Sequence, residues 1–265
     1  MGFDIDTYLK TFPSNIEILC LSNKNLTKIP SLKRFKNLRK LFCFENKLTE
    51  LPELNDTLEE LYCFKNKLKK LPKLNEKLKV LYCNKNKLTS LPELNKNLLL
   101  LNCSHNYLKE LPKLNIKLET LYCNNNCLTG LPKFNENIYI IYCENNYLTS
   151  LPELNYNLTY LNCNNNQLYC LPILHTRLFT ILCDDNPLTI YPDYRKKSIN
   201  IVNKFRDIYF IGKFGKRMFY WFLRKRIQYY KNELLENSAK ICMNPKRIER
   251  LLKNNEISLD DEIEI

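Results

Sequence analysis

The chain has 265 residues, 45% of them apolar and 26% charged, and a formal net charge of +13. That composition excludes an intrinsically disordered polymer, and no run of about eighteen apolar residues offers a transmembrane helix. The start, Met1-Gly2-Phe3-Asp4-Ile5-Asp6, lacks the basic region and apolar core of a secretory signal, and Asp6 stands where N-myristoylation wants Ser or Thr.

Residues 1–18 precede the regular part of the chain and are expected to form a cap, with Tyr8, Leu9 and Phe12 covering the first unit. From Leu19 the sequence repeats itself. Strand starts fall at Leu41, Leu61, Leu81, Leu101, Leu121, Ile141, Leu161 and Ile181, a period of 20 residues, after a less regular first unit of 22. That first unit has Lys24 where later units have Asn. A fixed period of this kind is the signature of a solenoid, in which each unit buries its apolar face only against the next.

Every recurring slot has a physical reading. Leu61 and Cys63 alternate with Glu60, Tyr62 and Phe64, the period of a short strand with one buried face. The thiols Cys43, Cys63, Cys83, Cys103, Cys123, Cys143, Cys163 and Cys183 take an aliphatic position. They are expected to be buried and free, in a reducing, intracellular and cytoplasmic setting. Zinc needs clustered ligands, and a regular ladder with only two histidines does not supply them. Asn46, Asn66, Asn86, Asn106, Asn126, Asn146, Asn166 and Asn186 follow each strand. An inward amide there must bond turn backbone in its own and the next unit, giving an asparagine ladder. Leu68, Leu71, Leu74 and Leu78 fill the interior behind the strand. Pro52, Pro72 and their equivalents to Pro192 fix φ and hold the preceding residue extended, so the convex side is expected to be extended or polyproline-like.

This pattern, Leu71-Pro72-Lys73-Leu74-Asn75 with Leu78-Lys79-Val80-Leu81-Tyr82-Cys83-Asn84-Lys85-Asn86, resembles the leucine-rich repeat family over 19–193, in about nine units. It is similar to the short 20-residue class of bacterial effector proteins. Two slots depart from that class. Asn55, Asn75, Asn95, Asn115, Asn135 and Asn155 stand where a second Pro is frequent, and Cys replaces the strand Val or Ile. The resemblance implies an α/β repeat solenoid with a parallel sheet of short strands on its concave face. Some effectors of the class add a ubiquitin-ligase domain. The 73 residues after Pro192 are too few for it, so ligase activity is not carried over.

The concave face is the expected contact surface. Phe42, Tyr62, Tyr82, Tyr122 and Tyr142 share one register, interrupted by Asn102, with Phe44, Phe64 and Tyr160 beside them. Exposed aromatics are enriched in protein-binding hot spots. The alternative is that Tyr and Phe merely suit strand positions and pair across neighbours. Outward strand positions carry Lys40 but also Glu60, Glu144 and Asp184, a near-neutral balance that disfavours phosphate recognition.

Residues 194–265 change character. Between 194 and 253 there are 17 Lys or Arg against four acidic residues, followed by an acidic end. This region is predicted to be a helical cap or appendage, with Pro245 opening one helix. Residues 194–253 also offer weak contact to anionic membrane or nucleic acid.

No HExxH, CxxC, GxSxG or phosphate-cradling glycine pattern occurs. Cys127, Cys170 and Cys242 lie off the ladder, and His105 and His175 lack a nucleophile or acid at useful spacing. The expectation is a non-enzymatic chain without cofactor or metal that binds another protein. An adaptor recruited through the basic region and a structural component without one specific ligand are the alternatives.

Overall fold

The computed structural model describes residues 3–175 and 177–188. The predicted helical region 194–265, Pro192 and Cys242 lie outside the described residues.

A short helix α1 (Ile5–Lys10) opens the chain. The Asp4 carboxylate caps it by accepting from the Asp6 and Thr7 amides, both at 3.1 Å. Leu9 is buried, and Tyr8 and Phe12 pack on the core beside it. Nine three-residue strands follow: β1 (Ile18–Cys20), β2 (Lys40–Phe42), β3 (Glu60–Tyr62), β4 (Val80–Tyr82), β5 (Leu100–Asn102), β6 (Thr120–Tyr122), β7 (Ile140–Tyr142), β8 (Tyr160–Asn162) and β9 (Thr180–Leu182). They form one parallel sheet in sequence order. The 20-residue period sets the register directly: Leu61 lies beside Leu81 and Leu81 beside Leu101. Three residues could not hold a strand alone. The pairing continues past each strand, with Cys63 N–H donating to Tyr82 O at 2.8 Å and Lys65 N–H to Asn84 O at 3.0 Å.

The interior is built from the predicted slots. Leu61, Leu68 and Leu78 are fully buried, as are Cys63 and its equivalents from Cys43 to Cys143. Each such leucine contributes about 2 kcal/mol by leaving water. The longer first unit uses its extra length to bury Phe35. Behind the strands, among the described residues, the backbone forms no α-helix, in keeping with the proline in each coil.

A tight turn joins strand to interior. Its residue before the ladder asparagine has positive φ in every unit from β2 on, from Glu45 at 53° to Asp185 at 56°. Asn suits this left-handed region at Asn125, Asn145 and Asn165. Glu45, Lys65 and Lys85 do not, and are held there by their bonds to the next coil.

Candidate binding face

The turn asparagines anchor the face. Asn86 Nδ2 donates to Cys63 O and Cys83 O, both at 3.0 Å, while its Oδ1 accepts from Leu68 N–H at 3.0 Å. Asn106, Asn126, Asn146 and Asn166 repeat the same set, and Asn66 and Asn186 make it while part-buried. Asn46 does so against the irregular first coil, accepting from the Lys24 and Leu26 amides. Each amide therefore ties its own turn to the coil before it.

The ladder thiols tie to the coil after. Cys83 and Cys103 Sγ donate to the carbonyls of Asn102 and Tyr122 at 3.4 Å, Cys143 to Asn162 at 3.3 Å and Cys163 to Leu182 at 3.2 Å. Burial pushes Cys43 and Cys103 up to about 12 and Cys183 to about 11. The same cause holds Cys63, Cys83, Cys123, Cys143 and Cys163 well above the usual thiol range. All described cysteines are free thiols, and Cys20, unlike the ladder, is exposed.

A second asparagine ladder runs along the convex side, and sequence reasoning missed it. Asn95 Nδ2 donates to Asn75 O at 2.6 Å and Leu78 O at 3.0 Å. Asn135 and Asn155 do the same two and three coils on. Asn75 and Asn115 bond the equivalent carbonyls, and Asn55 reaches Leu32 and Phe35. The signal was present as an Asn at every twentieth residue in a slot where Pro was expected. His175 ends the series, and its ring nitrogens lack a well-formed hydrogen bond among the described residues. Burial lowers its imidazole below the usual range, with Arg177 adding and the Asn155 backbone opposing.

On the concave side the aromatic residues stack face to face along the sheet. Phe42 lies on Tyr62 with ring centres 4.8 Å apart, and Tyr62 on Tyr82 at 5.1 Å. Phe44 stacks on Phe64 at 4.5 Å and meets Phe42 edge-on. Beyond Asn102 a second run begins, Tyr122 on Tyr142 at 5.0 Å and Tyr142 against Tyr160 at 4.7 Å. The Tyr62 hydroxyl donates to Glu60 Oε2 at 3.1 Å. Burial first, then Glu60, pushes that phenol up to about 12. Two positions in the outward registers of Phe64 and Glu60 are covered rather than open. Ser104 and Thr120 are buried. Ser104 is folded onto Asn102 by a 2.8 Å hydrogen bond, and Thr120 is a short side chain between Leu100 and Ile140.

Charges around this face are arranged coil to coil. All five ion pairs of the described residues join positions 20 apart: Lys33 with Glu53, Arg39 and Lys79 with Glu59, Lys40 with Glu60, and Lys65 with Glu45. Exposed pairs like these contribute little stability. Glu144 differs. One of its carboxylate oxygens is buried without a hydrogen bond, and burial raises its carboxyl above the usual range. Among the described residues no group of acidic, His or Cys side chains is arranged to hold a metal.

No protein-family model and no curated protein matches the sequence. Solved structures do. The leucine-rich effector protein YopM of Yersinia pestis is 37% identical over 64% of this chain and 49% of its own, with a TM-score of 0.61. YopM of Yersinia enterocolitica is 31% identical over 69% and 44%, with a TM-score of 0.55. The functional domain of InlJ from Listeria monocytogenes, which includes a cysteine ladder, is 31% identical over 66% and 46%, with a TM-score of 0.51. This chain spans less than half the length of each.

Proposed function

The chain belongs to the leucine-rich repeat family, and on that premise we propose that it is a non-catalytic module whose concave aromatic strip binds another protein. The strip comprises Phe42, Phe44, Tyr62, Phe64, Tyr82, Tyr122, Tyr142 and Tyr160. One observation carries the reading: these rings lie outside the leucine, thiol and amide ladders that join the coils, half-buried against one another with part of each ring still in solvent. Large, rigid side chains so placed give a partner contact area at low entropic cost. The likeness to effector repeat domains supports protein binding as the role. The free ladder thiols support a reducing, intracellular setting.

The test is affinity capture with crosslinking. Tyr62→Ala, Tyr82→Ala and Tyr122→Ala together are expected to weaken retention of the captured partner at least about tenfold. The cooperative urea transition should persist. Asn162→Ala with Asn164→Ala, on the same face where amides replace the rings, should change retention less than about twofold. Undiminished capture by the triple variant refutes the assignment.

A further inference from the structure

Lys47, Lys67 and Lys87 occupy the slot just past the turn asparagine in three successive coils. They follow the tight turn that leaves β2, β3 and β4, three residues past Phe44, Phe64 and Asn84. All three are exposed, and none has an ion pair among the described residues. In the charged columns that do pair, a residue of one sign meets the other sign one coil away. Here each coil repeats lysine. Coils about 4.8 Å apart hold these like charges close together, an arrangement that gives the fold nothing.

The first run of rings narrows the partner. Tyr62 is covered on both faces, by Phe42 and by Tyr82. A nucleobase needs a free ring face on which to stack. Tyr62 keeps only its edge, which is the positive part of the aromatic quadrupole, and its hydroxyl. The acids nearest the first run of rings, Glu45, Glu59 and Glu60, are already matched by cations within the sheet. What remains outward is apolar at the ring edges and positive at the three lysines.

We propose that this part of the molecule takes an acidic polypeptide segment, with its carboxylates against Lys47, Lys67 and Lys87 and its apolar side chains against the rings. The proposal rests on the strip reading above and specifies the partner's chemistry.

The test uses the full chain and two labelled peptides of about a dozen residues with identical Leu and Phe positions. One carries Glu at the intervening positions, the other Lys. The Glu peptide is expected to bind at least about tenfold more tightly. Lys47→Gln, Lys67→Gln and Lys87→Gln together should remove at least about tenfold and flatten the salt dependence. The matched triple Lys73→Gln, Lys113→Gln and Lys133→Gln makes the same charge change at exposed convex positions. It should leave binding within about twofold. Equal loss in both triples overturns the proposal in favour of net charge. Tighter binding of oligothymidylate, lost with Lys47, Lys67 and Lys87, overturns it in favour of nucleic acid. If the three Tyr→Ala changes abolish peptide binding while the first lysine triple does not, the acidic-segment inference falls and the strip stands. If only the first lysine triple matters, the strip itself falls, and the two-part site with it.

Discussion

Two coils of this sheet show what is held constant and what is not. Leu61-Tyr62-Cys63-Phe64-Lys65-Asn66-Lys67-Leu68 and Leu161-Asn162-Cys163-Asn164-Asn165-Asn166-Gln167-Leu168 agree at four positions and differ at four. The four that agree are the leucines, the thiol and the ladder asparagine. They point inward and bond or pack from coil to coil. The four that differ face outward, aromatic and basic in the first coil, amide-rich in the second. Stacking dictates the inside of every unit alike. The outside is free to vary from unit to unit, and between these two coils it does.

That contrast can be broken from the inside first. Because burial opposes ionisation of Cys63 and Cys163 alike, both should react with an alkylating reagent about a thousandfold more slowly than an open thiol. Exposed Cys20 should react freely. Mass-mapped labelling checks this, and fast labelling of Cys163 alone would mean that the second half lacks the same closed interior. Next, Asn86→Ala and Asn146→Ala each remove an equivalent, buried set of amide bonds. Each should cost about 3 kcal/mol in urea unfolding, with the two halves equal within about 1 kcal/mol. Unequal losses would show that the ladder is not uniform.

Two smaller effects sharpen the comparison at the second half's own irregularities. His175→Asn should restore the convex ladder and stabilise the protein by about 1 kcal/mol, read as a rise in the urea midpoint. Glu144 has a folded-state carboxyl raised by burial, so the native state holds its proton more tightly than the unfolded chain does. Stability should therefore fall as pH rises from the ordinary glutamate range through the raised value, and stay lowered above it. Glu144→Gln should remove that slope and leave the protein slightly more stable at neutral pH. A parallel pH profile in parent and variant would exclude Glu144 as the source.

Much of this was legible in the sequence, because a 20-residue period converts sequence separation into spatial adjacency. It located the strands, the thiol and turn-asparagine ladders, and the column containing Tyr62, Tyr82 and Tyr122. What it left open depends on how side chains turn once adjacent. The convex asparagines were visible as a repeated slot, but nothing in Asn75 or Asn95 says which carbonyl it will reach. The left-handed turn was readable at Asn125 and hidden at Lys65, where the bonds of the sheet override residue preference. Ser104 and Thr120 alternate as outward residues do, yet a short side chain beside larger ones is covered. The stacking of Tyr62 between Phe42 and Tyr82 likewise depends on ring orientation, which a period does not encode.

The in-register pairing of one coil with the next makes each coil an exchangeable module. Excising residues 101–120 would splice Leu100 to Leu121, seat Tyr122 beside Tyr82, and bring Cys83 under Tyr122 in place of Asn102. The amide of Asn126 would then reach back to Cys83 as Asn106 does now. No rung would be left open, and the two separate runs of rings would fuse into one. A change of length in this protein is thus also a redrawing of its surface, in steps of one coil.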